Sequence, residues 1–297
     1  MEDCRYGRLH FISGDNKGRY PFCHSLYIEG DTMRVVVDPA SSKEKLGSLR
    51  DTKAIDAVWL THWHEDHFKY LHLFDDRPLW ISERDFAPLR DMGVLLDWCG
   101  IEVDGYREYW SQTIKNNFHY HSRENANFLK DGDVVDCGAV TVEVIAAPGH
   151  TPGHLCFFFR EEQILFLGDY DLTPFGPWYG DLYSDIDETI ASLRRLQEIH
   201  AKTWIVSHEK GIFQENPGEI WQRYENIIYE RDAKILEFLN KPRTIDEIAS
   251  LWIFFGKPRE PMIFYASNER ALLKKHLVRL EKQKRIVFHE GLYVLAD

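Results

Sequence analysis

No apolar run in this 297-residue chain approaches the roughly 20 residues a membrane-spanning helix needs. The opening residues Met1-Glu2-Asp3-Cys4-Arg5 carry no secretory-leader pattern. These absences predict a soluble, cytoplasmic protein with no membrane association. Cysteine is sparse: Cys4, Cys23, Cys99, Cys137 and Cys156 are scattered, odd in number and form no CxxC pair. That excludes a disulfide frame and a thiolate zinc site, and leaves reduced, buried thiols. Positive charge is also scarce. The chain has 36 Lys+Arg against 48 Asp+Glu, a net charge of −12. Residues 230–297 hold 13 basic and 10 acidic side chains, which leaves −15 on the rest. An acidic body disfavours nucleic acid in the main cleft, since phosphate contacts need positive charge. Internal repeats and low-complexity tracts are absent as well. The length suits one large domain with an appendage, or two modest domains.

What the chain does have is a series of short apolar runs bounded by Gly, Pro, Asp or charged residues. They cover residues 25–28, 33–37, 57–60, 78–81, 140–146, 155–159, 163–167 and 203–206, each of strand length. Between them lie helical patterns, notably over 185–200, where Ile186, Ile190, Leu193, Leu196 and Ile199 recur at helix spacing. Interleaved strands and helices predict an α/β (α+β) protein with helix-covered sheets. Beyond Pro217-Gly218 the character changes. A long amphipathic helix is expected to Leu239, a capped helix start at Thr244, a charged helix over 268–284, and a hairpin around His289-Glu290-Gly291. That order is winged-helix-like, so the chain divides into a catalytic domain (1–216) and a small C-terminal domain (217–297). With a charge of only +3, the second unit reads as a packing or dimerisation element ahead of a DNA reader, and a homodimer is compatible with it.

The richest chemistry lies in Thr61-His62-Trp63-His64-Glu65-Asp66-His67, directly after the apolar run 57–60. Imidazole and carboxylate are common ligands of zinc and related metals. A strand cannot aim all these groups at one point, because alternate side chains face opposite ways. A sharp turn at a strand end can, with His62 and His64 on one ion and Asp66 and His67 on a second. Three further candidates also end strands: His150 in Pro148-Gly149-His150-Thr151-Pro152-Gly153-His154, Asp169 after Leu165-Phe166-Leu167-Gly168, and His208 after Trp204-Ile205-Val206-Ser207. His154 reads as a hydrogen-bonding partner of the ligands rather than a ligand.

Asp38, the His62-x-His64-x-Asp66-His67 motif, His150, Asp169 and His208, in this order over about the first 215 residues, resemble the metallo-β-lactamase-fold hydrolases. That superfamily includes glyoxalase II-like thioesterases, lactonases and phosphodiesterases. The resemblance implies an αββα four-layer sandwich with the site at one edge of the paired sheets. It implies two divalent metal ions, with zinc the first expectation and iron or manganese as alternatives. His62, His64 and His150 would hold the first, Asp66, His67 and His208 the second, and Asp169 would bridge them. Asp38 would be a structural aspartate beside the site. Two such cations bring the pKa of a shared water toward roughly 7, giving a bridging hydroxide for attack on a small ester, thioester or lactone. Asp66 would orient that nucleophile as the catalytic residue. The alternatives within the resemblance are a phosphodiesterase or nuclease and an iron-dependent persulfide dioxygenase-like oxidoreductase. Aromatics crowd the segment after Asp169, and Tyr170, Tyr179 and Tyr183 are the expected donors to a small-molecule substrate.

Overall fold

Alternation within the strands dictates the layering. In the run Arg34–Val37, Val35 and Val37 point into one core and Val36 into another. Ala57 and Trp59 part from Val58 in the same way, and Ile164 and Phe166 part from Leu165. Strands apolar on both faces must be covered on both. The computed structural model, which describes residues 2–101 and 105–296, shows how this is done.

Among the described residues, the first sheet has seven strands: β1 (Cys4–Tyr6), β2 (Leu9–Ile12), β3 (Ser25–Glu29), β4 (Arg34–Val37), β5 (Ala57–Trp59), β6 (Leu79–Ile81) and β7 (Asn127–Phe128). The second has six: β8 (Val134–Asp136), β9 (Thr141–Ala146), β10 (Leu155–Phe159), β11 (Ile164–Phe166), β12 (Thr203–Ile205) and β13 (Ile212–Phe213). Spatial order follows chain order in both. Every run expected as a strand is one. β1, β2, β7, β8 and β13 were not expected.

The sheets pack face to face through Leu26, Val35, Trp59, Val144, Phe157 and Phe166. The outer face of the first sheet is covered by α1 (Lys43–Thr52), α2 (Glu65–Phe68), α3 (Ala87–Arg90), α4 (Met92–Trp98) and α5 (Tyr106–Asn117), through residues such as Leu46, Phe68, Leu89, Leu95 and Trp110. The outer face of the second is covered by α6 (Ile186–Gln197) and the first half of α7 (Glu219–Phe238), through Leu193, Leu196, Trp221 and Tyr224. The result is the mixed α/β sandwich anticipated above.

After α7 come α8 (Ile245–Ala249), α9 (Met262–Lys282) and the hairpin of β14 (Ile286–His289) and β15 (Leu292–Leu295). α9 begins six residues before the expected start, right after Pro261. Ile228 and Ile235 of α7 share a core with Leu272, Leu277 and Ile286 and with Ile186 and Ile190 of α6. One helix therefore serves both the sandwich and the C-terminal elements.

β4 and β5 are parallel, β11 and β12 are parallel, and β9 runs with β11 because both are antiparallel to β10. Asp38, the 61–67 turn, His150, Asp169 and His208 each follow the C-terminal end of one of these strands. The topology thus delivers every candidate ligand to an edge.

Candidate metal centre

Asp38 leaves β4 with φ 48°, a left-handed turn that Asp tolerates better than most residues. Its Oδ1 accepts from the Thr61 backbone N–H (2.8 Å) and its Oδ2 from Thr61 Oγ1 (2.8 Å), tying the start of the 61–67 turn to the neighbouring strand. α2 then begins with His64 at its N-cap. The backbone reverses at once and turns the whole cluster inward.

His62, His64, His150 and Asp169 come together, and so do Asp66, His67 and His208; within each group the ligating atoms lie within 4.8 Å of one another. His62 Nε2, His64 Nδ1 and His150 Nε2 form a triangle with sides of 3.0–3.1 Å. Asp169 straddles the groups. Its Oδ2 is 3.4 Å from His150 Nε2, and its Oδ1 is 2.8 Å from His67 Nε2 and 3.2 Å from His208 Nε2. Asp66 Oδ2 lies 3.6 Å from His208 Nε2.

In all five imidazoles the nitrogen turned away from the centre meets an acceptor. His62 Nδ1 lies 2.9 Å from Thr61 Oγ1, His64 Nε2 2.8 Å from Asp181 Oδ2, and His67 Nδ1 2.9 Å from Asp38 Oδ2. His150 Nδ1 lies 3.1 Å from the Trp178 carbonyl, and His208 Nδ1 2.7 Å from the Gly18 carbonyl. An outward nitrogen that donates leaves a neutral ring with its lone pair facing inward, the form that ligates metal. Three converging lone pairs repel unless a cation sits among them. Burial holds His62 well below the ordinary histidine range, and burial with the neighbouring His64 pushes His150 down to about 4. His62 and His150 therefore stay neutral, and His64, which the Asp181 carboxylate raises to about 9 against its burial, is the member of the triangle that takes a proton when no cation is there. His67 Nε2 and Asp169 Oδ1 are buried without a hydrogen-bond partner despite their 2.8 Å approach. A donor set of imidazole nitrogen and carboxylate oxygen with such orphaned atoms fits two divalent cations.

His154 is fully buried, and its Nε2 accepts from the Asp169 backbone N–H at 3.1 Å. It holds the Asp169 backbone, and Asp38 holds Thr61 and His67.

The three tyrosines require correction. The Tyr170 hydroxyl donates to the Ala147 and Pro148 carbonyls, and Tyr179 is fully buried against Arg231 and His276. Tyr183 is 53% exposed and packs on Trp98. None lines the cleft. A burst of aromatics after a ligand marks packing as readily as binding, and here packing claims them.

The cleft over the centre has a volume of about 500 Å³. Its walls come from segments far apart in sequence: Tyr20, Tyr106, Trp110, Phe175, Phe264 and Tyr265, with Arg19 and Arg259 also lining it. Glu65 faces it too, its Oε1 accepting from the Tyr20 hydroxyl at 2.9 Å; burial, then the adjacent Asp66, raise its pKa to about 7. Trp178, one of the aromatics expected after Asp169, lines the cleft, whereas Asp181, Glu65 and Phe264 were passed over in the sequence. Asp181 alone had a signal, as a carboxylate inside the aromatic segment after Asp169, and that signal is faint.

A family model described as "Metallo-beta-lactamase superfamily" matches residues 19–208. Among curated proteins, an atrochrysone carboxyl ACP thioesterase of Aspergillus fumigatus is 26% identical over 210 residues, 68% of this chain and 55% of that protein. The chain thus spans little more than half of that relative's length. The acyl-coenzyme A thioesterase MBLAC2 of Bos taurus is 27% identical over 190 residues, 58% of this chain and 66% of that protein. Among solved structures, a metallo-beta-lactamase family protein from Thermus thermophilus superposes with a TM-score of 0.71 at 20% identity, covering 97% of this chain and 98% of that one. At that identity the likeness speaks for the fold.

Proposed function

Because the chain belongs to the metallo-beta-lactamase superfamily, we propose that it is a dinuclear metal-dependent hydrolase of a small ester, thioester or lactone, with thioesters first. The two thioesterase relatives support the order of preference. The observation that carries the reading is the five histidines whose outward nitrogens all meet acceptors while their inward nitrogens converge with Asp66 and Asp169.

In this reading His62, His64 and His150 hold one cation, Asp66, His67 and His208 the other, and Asp169 both. Zinc suits nitrogen-rich sites with carboxylate companions, and iron and manganese are the alternatives. Two such cations supply a water made acidic enough to react near neutral pH and polarisation of the scissile carbonyl. The chain does the rest. Asp38 and His154 fix the orientation of His67 and of the Asp169 backbone, and Asp66 orients the attacking water. The aromatic walls exclude solvent and hold the acyl group, while Tyr20 holds Glu65 at the cleft floor. Residues 1–216 form the catalytic domain and residues 217–297 a winged-helix-like appendage that completes one wall of the cleft. A small molecule is the partner this cleft suits, in keeping with the usual size of such sites, and a cytoplasmic location fits the reduced thiols.

Mass spectrometry of the purified protein should find two metal equivalents, and acyl thioesters should be hydrolysed. His62→Ala should lose at least one equivalent and, by the scale of lost metal activation, more than about 100-fold in kcat/KM. Metal-free protein with full activity, or turnover of RNA but of no ester, thioester or lactone, would overturn the proposal.

A further inference from the structure

The two halves of the metal centre are held by different parts of the chain. On one side, His67 is oriented by Asp38 and His208 by the Gly18 and Phe22 carbonyls, all within the first 40 residues. On the other, His64 is oriented by Asp181 and His150 by the Trp178 carbonyl, and Ser184 Oγ donates to the His150 carbonyl at 2.6 Å. Trp178 Nε1 also donates to Asp181 Oδ2 at 3.1 Å, so the loop over residues 175–184 is one connected bracket for His64 and His150.

That bracket has little regular structure of its own and is tied from behind. Arg231 of α7, itself buried, donates to the Tyr179 hydroxyl (2.7 Å) and to the Pro177 and Phe175 carbonyls. Tyr179 then donates to His276 Nε2 of α9 (2.7 Å), and His276 Nδ1 donates to Asp232 Oδ1 (2.6 Å). Arg279 closes the chain on Asp232. Further along, Lys275 Nζ donates to the Leu182 and Ser184 carbonyls, each at 2.8 Å. A buried network in which each donor has an acceptor has few alternative arrangements, so it fixes position as well as adding stability.

We propose that α7 and α9 act as a positioning element for His64 and His150, through Arg231, Tyr179, His276 and Lys275 and the 175–184 loop; the His67 and His208 side is held without these four residues, and the other tie of α7 to the centre, from the Tyr224 hydroxyl to the Asp169 carbonyl (3.3 Å), is separate from them. The C-terminal helices are then part of the metal centre's construction rather than only an appended unit. This rests on the metal-centre reading above.

The test uses the full-length chain carrying Tyr179→Phe and Lys275→Met together, with Lys275→Met alone as the milder variant. Both substitutions keep packing volume and remove hydrogen bonds. Zinc retention is followed by mass spectrometry against graded chelator. Changes behind a ligand commonly weaken metal binding 10–100-fold. The double variant should therefore release one equivalent at a chelator concentration about tenfold or more below wild type, and hold the other as wild type does. In cobalt-substituted protein, the shifted, exchangeable imidazole N–H resonances of His64 and His150 should exchange faster, and those of His67 and His208 should not. Added zinc should restore kcat with KM unchanged, which a general loss of folding would not allow. Wild-type retention of both equivalents in the double variant, or their joint release, overturns the proposal and leaves the hydrolase reading standing. A wild-type chain that binds no zinc overturns the metal centre itself.

Discussion

A neutral imidazole that accepts a hydrogen bond cannot also be protonated there, and His24 is in that position. It is fully buried, and its Nδ1 accepts from the Gly14 backbone N–H at 2.8 Å. Burial pushes its pKa down to about 4, with His208 and Lys45 adding to the effect. The folded-state value thus lies below the unfolded value of about 6.5. The contribution to stability is complete above pH 6.5 and is lost as pH falls toward 4, by at most about 1.4 kcal/mol per pH unit. Urea unfolding of the zinc-free chain at pH 7.5 and pH 5.0 measures it. His24→Asn keeps an acceptor without the titration, so the drop between the two pH values should be smaller in the variant; an equal drop refutes the assignment. At this scale the candidate ligands were readable, because His62, His64, Asp66 and His67 share one short motif and His150, Asp169 and His208 each end an apolar run. Asp181 was not readable in the same way. It meets His64 across 117 positions of chain, and nothing in its neighbours marks it as an orienting carboxylate.

Elements carry their own constraints, and the loop between β9 and β10 shows the strictest. Gly149 has φ +123°, and a Cβ placed there would collide with the backbone nitrogen and side-chain oxygen of Thr189 in α6. The Gly149 carbonyl accepts from the N–H of Asp185, the α6 N-cap, at 2.9 Å. The loop thus rests on the end of α6 through a residue with no side chain, and His150 follows directly. Gly149→Ala should cost about 1–3 kcal/mol through backbone strain and lower zinc retention on the His150 side, read by thermal unfolding and metal analysis together. A stable variant with both equivalents intact would show that the loop can reseat. Most of the strands were legible because runs such as Thr141–Ala146 and Leu155–Phe159 are β-rich and bounded by turn residues. β7 and β13 were not, since two residues carry no period and their pairing comes from distant partners in β6 and β12. The early start of α9 escaped for a related reason. Met262 to Ser267 shows no charged stripe, and it is the tertiary contacts of Ile263 and Phe264 with the first core that give those residues a buried face.

Across the whole molecule, one wall of the cleft is built from three separated stretches. Tyr20 stacks on Phe264 at 6.0 Å, and Phe264 lies 5.5 Å from Trp110, so an N-terminal loop, α5 and α9 meet beside the metal centre. No sequence window contains more than one of them, so the aromatic segment after Asp169 marked only part of the lining: Phe175 and Trp178 face the cleft, while Tyr170, Tyr179 and Tyr183 do not. Arg259 adds a cation to this wall and lies over the rings of Phe255 and Tyr265. A wall of half-buried rings favours an apolar acyl group, because covering such a surface gains about 25 cal/mol per Å². Phe264→Ala removes the ring that joins the N-terminal loop to α5. Losing roughly 60 Å² of contact corresponds to about 1.5 kcal/mol, or about tenfold, in kcat/KM for a bulky substrate. The comparison that isolates this is benzoyl against acetyl thioester of one small thiol. Wild type should prefer the benzoyl compound, and the variant should lose about tenfold on it while keeping its rate on the acetyl one and its full metal content. Equal losses on both substrates would mean that Phe264 shapes the metal centre rather than the acyl site, and an unchanged preference would place the acyl group on another wall of the cleft.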